Sequence, residues 1–170
     1  MTTAGMSLAE PDLALAGRLF DALSERTRQG RGIVRDSYGP GEVVAHDLMR
    51  ETARSLGLEV QVDAGCNTYA VLPGRDRSAP MLLMGSHLDS VPQGGNFDGA
   101  AGVIAGMAVL AGLRRAKVAP PFDIGVIATR GEEAAWFNAD YVGTHVAFGK
   151  LRPELLDRVR RSDSGRTMAE

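Results

Sequence analysis

The sequence of 170 residues lacks the features that mark secreted, membrane-spanning and nucleic-acid-binding proteins. Its single cysteine, Cys66, excludes an internal disulfide, which is typical of a cytoplasmic protein, and we expect it to be a small buried residue. No run of about 18 apolar residues occurs, so no membrane span is expected. Residues 1–11 lack the basic start and apolar core of a signal peptide. A net charge of −2 without a long block of one sign argues against nucleic acid and anionic membranes as partners.

Histidine is also scarce, with three in the chain. His46 falls in the middle of a predicted helix, where we expect a structural or exposed side chain. His145 follows a motif rather than forming one, so we do not expect it to bind a metal. A site that needs an imidazole therefore depends on His87.

Hydrophobic periodicity predicts an α/β fold with a mixed sheet and flanking helices. Residues 98–116 are apolar nearly all round, which predicts a buried helix. The wholly apolar run 81–84 is typical of a strand buried on both faces, and residues 32–41 are predicted to form a polar loop. The predicted elements are helices over 12–28, 42–56 and 98–116, strands over 58–62, 68–72, 81–84 and 122–129, and helical or turn-like segments over 140–149 and 152–160.

The predicted strand 81–84 leads into His87 and Asp89, which can bind a metal or move a proton. They lie at the carboxyl edge of a sheet, where α/β proteins bind their ligands. A metal-binding imidazole needs a partner on its other nitrogen, and Asp89 can supply one. The alternative is a histidine satisfied by local hydrogen bonds, and for an isolated His-x-Asp that alternative is favoured.

Asp98 lies in the glycine-rich stretch 94–99, at the start of the predicted buried helix. Aspartate favours the N-cap of a helix, which is one interpretation of this position. The other is a carboxylate that bridges two metal ions, with space left by the small residues 99–101. The two roles are compatible.

Glu132 and Glu133 follow the predicted strand 122–129. Adjacent carboxylates at a sheet edge repel each other unless a cation compensates, and a metal ion is a suitable one. The alternative is a solvated pair in a surface loop. Together with His87 and Asp98, these residues offer nitrogen and oxygen ligands suited to Zn²⁺, Mn²⁺ or Co²⁺.

These motifs, in this order, resemble the N-carbamoyl-L-amino-acid hydrolase and allantoate amidohydrolase group of the co-catalytic metallopeptidase superfamily, which also contains aminoacylases. The resemblance extends from about residue 12 to the end of the chain. We expect its aromatic pair, Trp136 and Phe137, to pack in the core. The segments that carry the resemblance are 32–38, 67–74, Gly-Ser-His-Leu-Asp-Ser-Val-Pro at 85–92, Gly-Gly-Asn-Phe-Asp-Gly at 94–99, Gly-Glu-Glu at 131–133, Trp-Phe at 136–137 and Tyr-Val-Gly-Thr at 141–144.

The resemblance implies a zinc-peptidase-like catalytic domain that hydrolyses linear, non-peptide C–N bonds with two divalent metal ions. His87 would bind one ion, Glu133 the other, and Asp98 would bridge both. Glu132 would be the general base, and Asp89 would orient His87. The implied partner is a small ureido or amide substrate, and the implied assembly is a homodimer.

The resemblance also implies parts that these residues do not contain, namely two more metal-binding histidines and a lid-like dimerisation domain. We therefore expect residues 1–170 to be an incomplete N-terminal portion of the catalytic domain, with residues 161–170 starting a truncated segment. Two alternatives stay open. One is an aminoacylase- or peptidase-like metallohydrolase. The other is a non-catalytic half-domain that binds a complementary chain through an exposed sheet edge.

Overall fold

The computed structural model describes residues 9–170, so the expectation about the extreme N-terminus lies largely outside the described residues. The predicted helices and strands occur in the predicted order, with bounds that differ by at most three residues, and two short strands at 28–29 and 32–33 were not predicted. The elements are α1 (Leu13–Thr27), β1 (Arg28–Gln29), β2 (Gly32–Ile33), α2 (Pro40–Ser55), β3 (Glu59–Val62), β4 (Thr68–Leu72), β5 (Leu82–His87), α3 (Ala100–Arg115), β6 (Ile124–Thr129), α4 (Val142–Ala147) and α5 (Glu154–Arg158).

The main sheet has four strands in the order β3-β4-β6-β5. Strand β4 is antiparallel to both of its neighbours, whereas β5 and β6 are parallel. The predicted α/β fold with a mixed sheet is thereby confirmed. Because β5 and β6 are parallel and in register from Leu82 opposite Ile124 to His87 opposite Thr129, their carboxyl ends lie side by side.

Helices α1, α2 and α3 build the core against one face of this sheet. Helix α3 packs closely because it has glycine where it meets β6: a Cβ on Gly106 would lie 2.7 Å from the Val126 side chain. Its outward positions, including Ala101 and Ala105, are exposed, so the helix is buried on one broad face rather than all round. No helix within residues 9–170 has the length and apolar character needed to cross a bilayer.

Strand β5 corrects the expectation of a strand buried on both faces. It is one of the two edge strands of the sheet, and its Leu82 and Leu83 are 54% and 42% exposed. Helix α3 covers one face of β5, and within the described residues no strand pairs with its free edge. An apolar run indicates that a strand packs against other elements, but it does not indicate whether the strand lies at the edge of the sheet.

The segment 32–41 is not wholly a loop, since β2 pairs with β1 and Pro40 begins α2. Strands of two residues are too short to show a period, which is why the pattern missed them. Cys66 is exposed rather than buried, because it lies in the turn between β3 and β4 with φ of 63°. His46 is buried in a structural position, and Trp136 and Phe137 are buried as expected.

Candidate metal centre

The predicted site residues meet at the shared carboxyl edge of β5 and β6. His87 is the last residue of β5, and its Nε2 lies 3.8 Å from Asp98 Oδ1 and 3.7 Å from Glu132 Oε2. His87, Glu132 and Glu133 each offer a ligand atom within 4.8 Å of the others. Asp98 completes the cluster from the side, with a side chain that is 60% exposed.

Asp89 lies behind this cluster, and the structure gives it more contacts than the sequence indicated. Its Oδ1 is 3.3 Å from Nδ1 of His87, the interaction expected from the motif. Its carboxylate also accepts hydrogen bonds from Ser37 Oγ at 2.6 Å, from the Glu132 N–H at 3.1 Å and from the Glu133 N–H at 3.0 Å. One fully buried side chain therefore contacts the histidine and both glutamates.

These contacts shift the pKa values of His87, Asp89 and Glu133. Burial acts to lower the pKa of His87, but the hydrogen bond and charge of Asp89 and the charges of Glu132 and Glu133 outweigh it and raise that pKa. Burial acts to raise the pKa of Asp89, but its hydrogen bonds outweigh burial and lower it. The pKa of Glu133 is raised by burial and by the charges of Glu132 and Asp98. The cluster thus contains more negative charge than His87 alone compensates.

The two glutamates are carried by a short segment, residues 130–133, which we call the second loop. Its four successive amides all donate to side-chain oxygens. The Arg130 N–H binds Asn67 Oδ1 at 2.9 Å, and the Gly131 N–H binds Glu42 Oε1 at 3.0 Å. The N–H groups of Glu132 and Glu133 donate to the carboxylate of Asp89. Every backbone donor of the second loop is therefore fixed by a side chain from another part of the fold.

A buried ion pair supports the second loop from below. Arg130 donates from Nη1 to Glu42 Oε2 at 2.8 Å and from Nε to the Cys66 carbonyl at 3.0 Å. Glu42 also accepts from the Tyr38 N–H. Burial raises the pKa of Glu42, while Arg130 and the two backbone donors from Tyr38 and Gly131 oppose that rise.

Residues 88–98, which we call the first loop, connect His87 to Asp98. Its middle is joined to β2 by two backbone hydrogen bonds of 2.9 Å between Ile33 and Gly94. At its end, Gly99 is the N-cap residue of α3, so Asp98 does not take the N-cap role. Gly99 has φ of 63°, and a Cβ there would lie 2.4 Å from Cε1 of His87. Only glycine allows the backbone to pass this close to the imidazole.

Comparison with known proteins places the chain in a family. The model of peptidase family M28 matches residues 67–153, about half of the chain. The chain belongs to peptidase family M28. The matched region contains all five predicted site residues of this M28 chain.

Proteins of similar sequence and structure confirm the resemblance seen in the motifs. The chain is 36% identical to an N-carbamoyl-L-amino acid amidohydrolase of Geobacillus stearothermophilus, over 90% of this chain and 38% of that protein. It is 30% identical to an allantoate amidohydrolase of Escherichia coli strain K12, over 72% of this chain and 30% of that protein. A hydantoinase/carbamoylase family amidase from Burkholderia ambifaria superposes with a TM-score of 0.88 and 31% identity, over 95% of this chain and 40% of that one. The chain thus spans about two fifths or less of the length of these relatives.

The donor set of this M28 chain suits a divalent cation. Nδ1 of His87 faces Asp89, which leaves Nε2 directed toward the carboxylates. Within residues 9–170, no lysine or arginine lies within ion-pair distance of Asp98, Glu132 or Glu133. One imidazole and three carboxylates are ligands that Zn²⁺ and Mn²⁺ accept.

Sequence reasoning missed the residues that hold the cluster in place. Glu42, Asn67 and Arg130 are all buried and polar, yet none belongs to a metal-ligand pattern. The available signal was their position, since Asn67 immediately precedes β4 and Arg130 immediately follows β6. Neither His46 nor His145 belongs to the group of ligand atoms around His87.

Proposed function

We propose that this chain carries part of the catalytic centre of a metal-dependent amidohydrolase that cleaves linear C–N bonds, such as those of N-carbamoyl-L-amino acids or allantoate. The observation that supports this most is the convergence of His87, Asp98, Glu132 and Glu133 at the common end of β5 and β6. The names of the relatives supply the substrate class.

We assign His87 through Nε2, Asp98 and Glu133 as the residues that would hold two divalent ions of zinc, manganese or cobalt, and Asp98 would be shared by both ions. When bound, such ions polarise the substrate carbonyl and lower the pKa of the attacking water. The raised pKa of Glu133 and the uncompensated charge of its neighbours support a cation here, because a cation would remove their mutual repulsion.

We assign Glu132 as the general base. Its Oε2 takes a proton from the attacking water and delivers it to the leaving nitrogen, so that the C–N bond breaks without forming an amide anion. The side chain is about one quarter exposed, which leaves it open to substrate, and its backbone N–H is held by Asp89. A carboxylate on a fixed backbone is suited to repeated proton transfer at one position.

Asp89 is assigned a positioning role. Its contact with Nδ1 directs the Nε2 lone pair of His87 toward the carboxylates, as a second partner does in many metal sites. We also assign the protein a cytoplasmic location, because its single cysteine is typical of cytoplasmic proteins. As the resemblance implies, we assign it a small ureido or amide substrate and a homodimeric assembly.

A second candidate function is an aminoacylase- or peptidase-like activity, which the name of the matching family favours. The same cluster would serve both reactions. A panel of one N-carbamoyl-L-amino acid, allantoate, one N-acetyl-L-amino acid and one dipeptide separates them. Release of product from the first two alone supports the amidohydrolase, and release from the last two alone supports the alternative.

The first test is calorimetric titration with Zn²⁺, Mn²⁺ and Co²⁺. His87→Ala should lower the affinity at least tenfold, because it removes the only imidazole of the cluster. His145→Ala is the matched control and should leave the affinity unchanged, since His145 lies in α4 with its ring beside Tyr141. Equal affinity in wild type and His87→Ala would contradict the proposal.

A further inference from the structure

Arg35 is a fully buried arginine just after β2, and no part of the proposed chemistry uses it. Its Nε donates to the Leu88 carbonyl at 2.6 Å, and its Nη2 donates to the Asp98 carbonyl at 3.0 Å. These two carbonyls are the first and the last of the first loop. A single guanidinium group therefore joins the two ends of that loop.

The backbone of Arg35 is fixed to the same loop. Its N–H donates to Ser90 Oγ at 2.9 Å, and its carbonyl accepts from the Ser90 N–H at 2.8 Å. The Cα from which the Arg35 side chain extends is therefore fixed relative to Ser90 of the first loop. Because a guanidinium is planar, with its N–H groups in a fixed fork, the two carbonyls that it binds are held at a set spacing.

The two ends of the first loop carry two of the proposed metal ligands. His87 directly precedes Leu88, and Asp98 is itself the last residue of the loop. A stretch of eleven residues has no intrinsic tendency to bring its ends together, and closing it costs conformational entropy. The hydrogen bonds between Ile33 and Gly94 fix its middle, and Asn96 donates to the Phe20 carbonyl at 3.0 Å, but neither interaction joins the two ends. Asp89 contacts the second loop rather than Asp98.

We propose that Arg35 is a positioning residue that sets the spacing between His87 and Asp98 by joining the two ends of the first loop. The inference rests on the proposed metal-binding function of these two residues. Arg35 does not reach the reacting atoms, so it acts through the loop. Lysine cannot replace it, since one ammonium group lacks the planar fork that binds both carbonyls.

The first measurement is amide hydrogen exchange in the metal-free protein. Arg35→Lys should speed exchange of Gly94, Ala100 and Ala101 about tenfold, while the amides of β4 and β6 keep their rates. Arg130→Lys is the matched control, a buried arginine that supports the second loop, and it should leave these three amides unchanged. Unchanged exchange in Arg35→Lys, or faster exchange throughout the protein, would overturn the proposal.

The second measurement is Co²⁺ titration followed by visible absorption, on Arg35→Lys, Asp98→Ala and the double variant. If Arg35 acts through Asp98, each single variant loses about tenfold in affinity, and the double variant binds no more weakly than Asp98→Ala. If the double variant shows the product of the two single losses of Co²⁺ affinity, Arg35 has a general structural role and the proposal is overturned.

The two proposals can fail separately. If the wild type binds no cobalt, the proposed metal function fails, and the exchange data still decide whether Arg35 joins the ends of the loop. If Arg35→Lys does not fold, Arg35→Gln, whose amide can donate to one carbonyl, is measured in the same way. It should speed exchange of the same three amides, and unchanged rates would again overturn the proposal.

Discussion

The two loops that carry the proposed ligands are held in opposite ways. The first loop is bound through its carbonyls by a buried cation, Arg35. The second loop is bound through its amides by buried acceptors, two of which are the carboxylates Asp89 and Glu42. The first is fixed at its ends and its middle, whereas the second is fixed at every amide. We therefore expect the second loop to be the more rigid and the more costly to disturb.

The difference also affects the charge of the site. The carboxylate of Asp89 lies directly beneath the backbone of Glu132 and Glu133, and its charge contributes to the raised pKa of Glu133. The cation Arg35 lies beneath the backbone of Asp98 instead. An arrangement of this kind places the glutamates, but not Asp98, over a negative group.

The largest effect is expected from Asp89→Ala, which releases the second loop. Three donors lose their acceptor at about 1–3 kcal/mol each, or about 3–9 kcal/mol together. Because the amides of Glu132 and Glu133 are only partly buried, the free energy of unfolding should fall by about 3–5 kcal/mol, in the lower part of that range. Zinc affinity should fall about 100-fold, because His87 loses its partner. Urea denaturation and calorimetry measure the two effects. Asp76→Ala, which removes an exposed carboxylate, is the control, and equal behaviour of the two variants would contradict the prediction.

Gly99→Ala disturbs the first loop and should have the next largest effect. The left-handed backbone costs alanine about 1–2 kcal/mol, and the new Cβ must displace the ring of His87. Zinc affinity should fall about tenfold. Gly95→Ala lies in the same loop with open space around its Cβ, and it should change neither quantity. A loss of affinity in both variants would show that the loop tolerates no added methyl group anywhere.

The stability of the protein should be sensitive to pH through His46, which is buried near the charge of Arg130. Burial and then the charges of Arg130 and Arg50 hold the pKa of His46 well below its usual value. The unfolded chain takes up a proton below about pH 6.5 and the folded protein does not, so stability is lost as the pH falls. Between pH 7 and pH 5 the wild type should lose about 2 kcal/mol more than His46→Asn. Urea denaturation across this range measures the difference, and parallel curves would contradict it.

The smallest effect is expected from Gln93→Ala, at the exposed side of the first loop. Gln93 accepts from the Arg31 and Gly32 amides and donates to the Gln29 carbonyl. These exposed bonds together contribute about 1 kcal/mol to the free energy of unfolding. Zinc affinity should change by less than about twofold, because the ends of the loop stay bound to Arg35. A tenfold loss of zinc affinity would show that the β1–β2 turn, and not Arg35, determines the conformation of the first loop.

Local patterns were sufficient for all elements except the short strands β1 and β2, and for the ligand candidates. Strand β4 begins and ends where the alternation predicted, and α1 and α3 lie within two residues of their predicted bounds. The residues of the cluster were recognised because strand ends followed by His-x-Asp and Glu-Glu are local features of the chain. The position of β5 at the edge of the sheet is not a local feature, because strand order depends on pairing between distant segments.

The amino-acid sequence by itself determined which residues are candidates to bind a metal, which elements carry them and which family the motifs resemble. The tertiary structure alone decided how those residues are held. The supporting hydrogen bonds join positions that are 43 to 89 residues apart, from Asp89 to Glu132 and from Glu42 to Gly131. Periodicity describes neighbours within a few turns or strands, whereas a buried charge finds its partner only when the chain has folded around both.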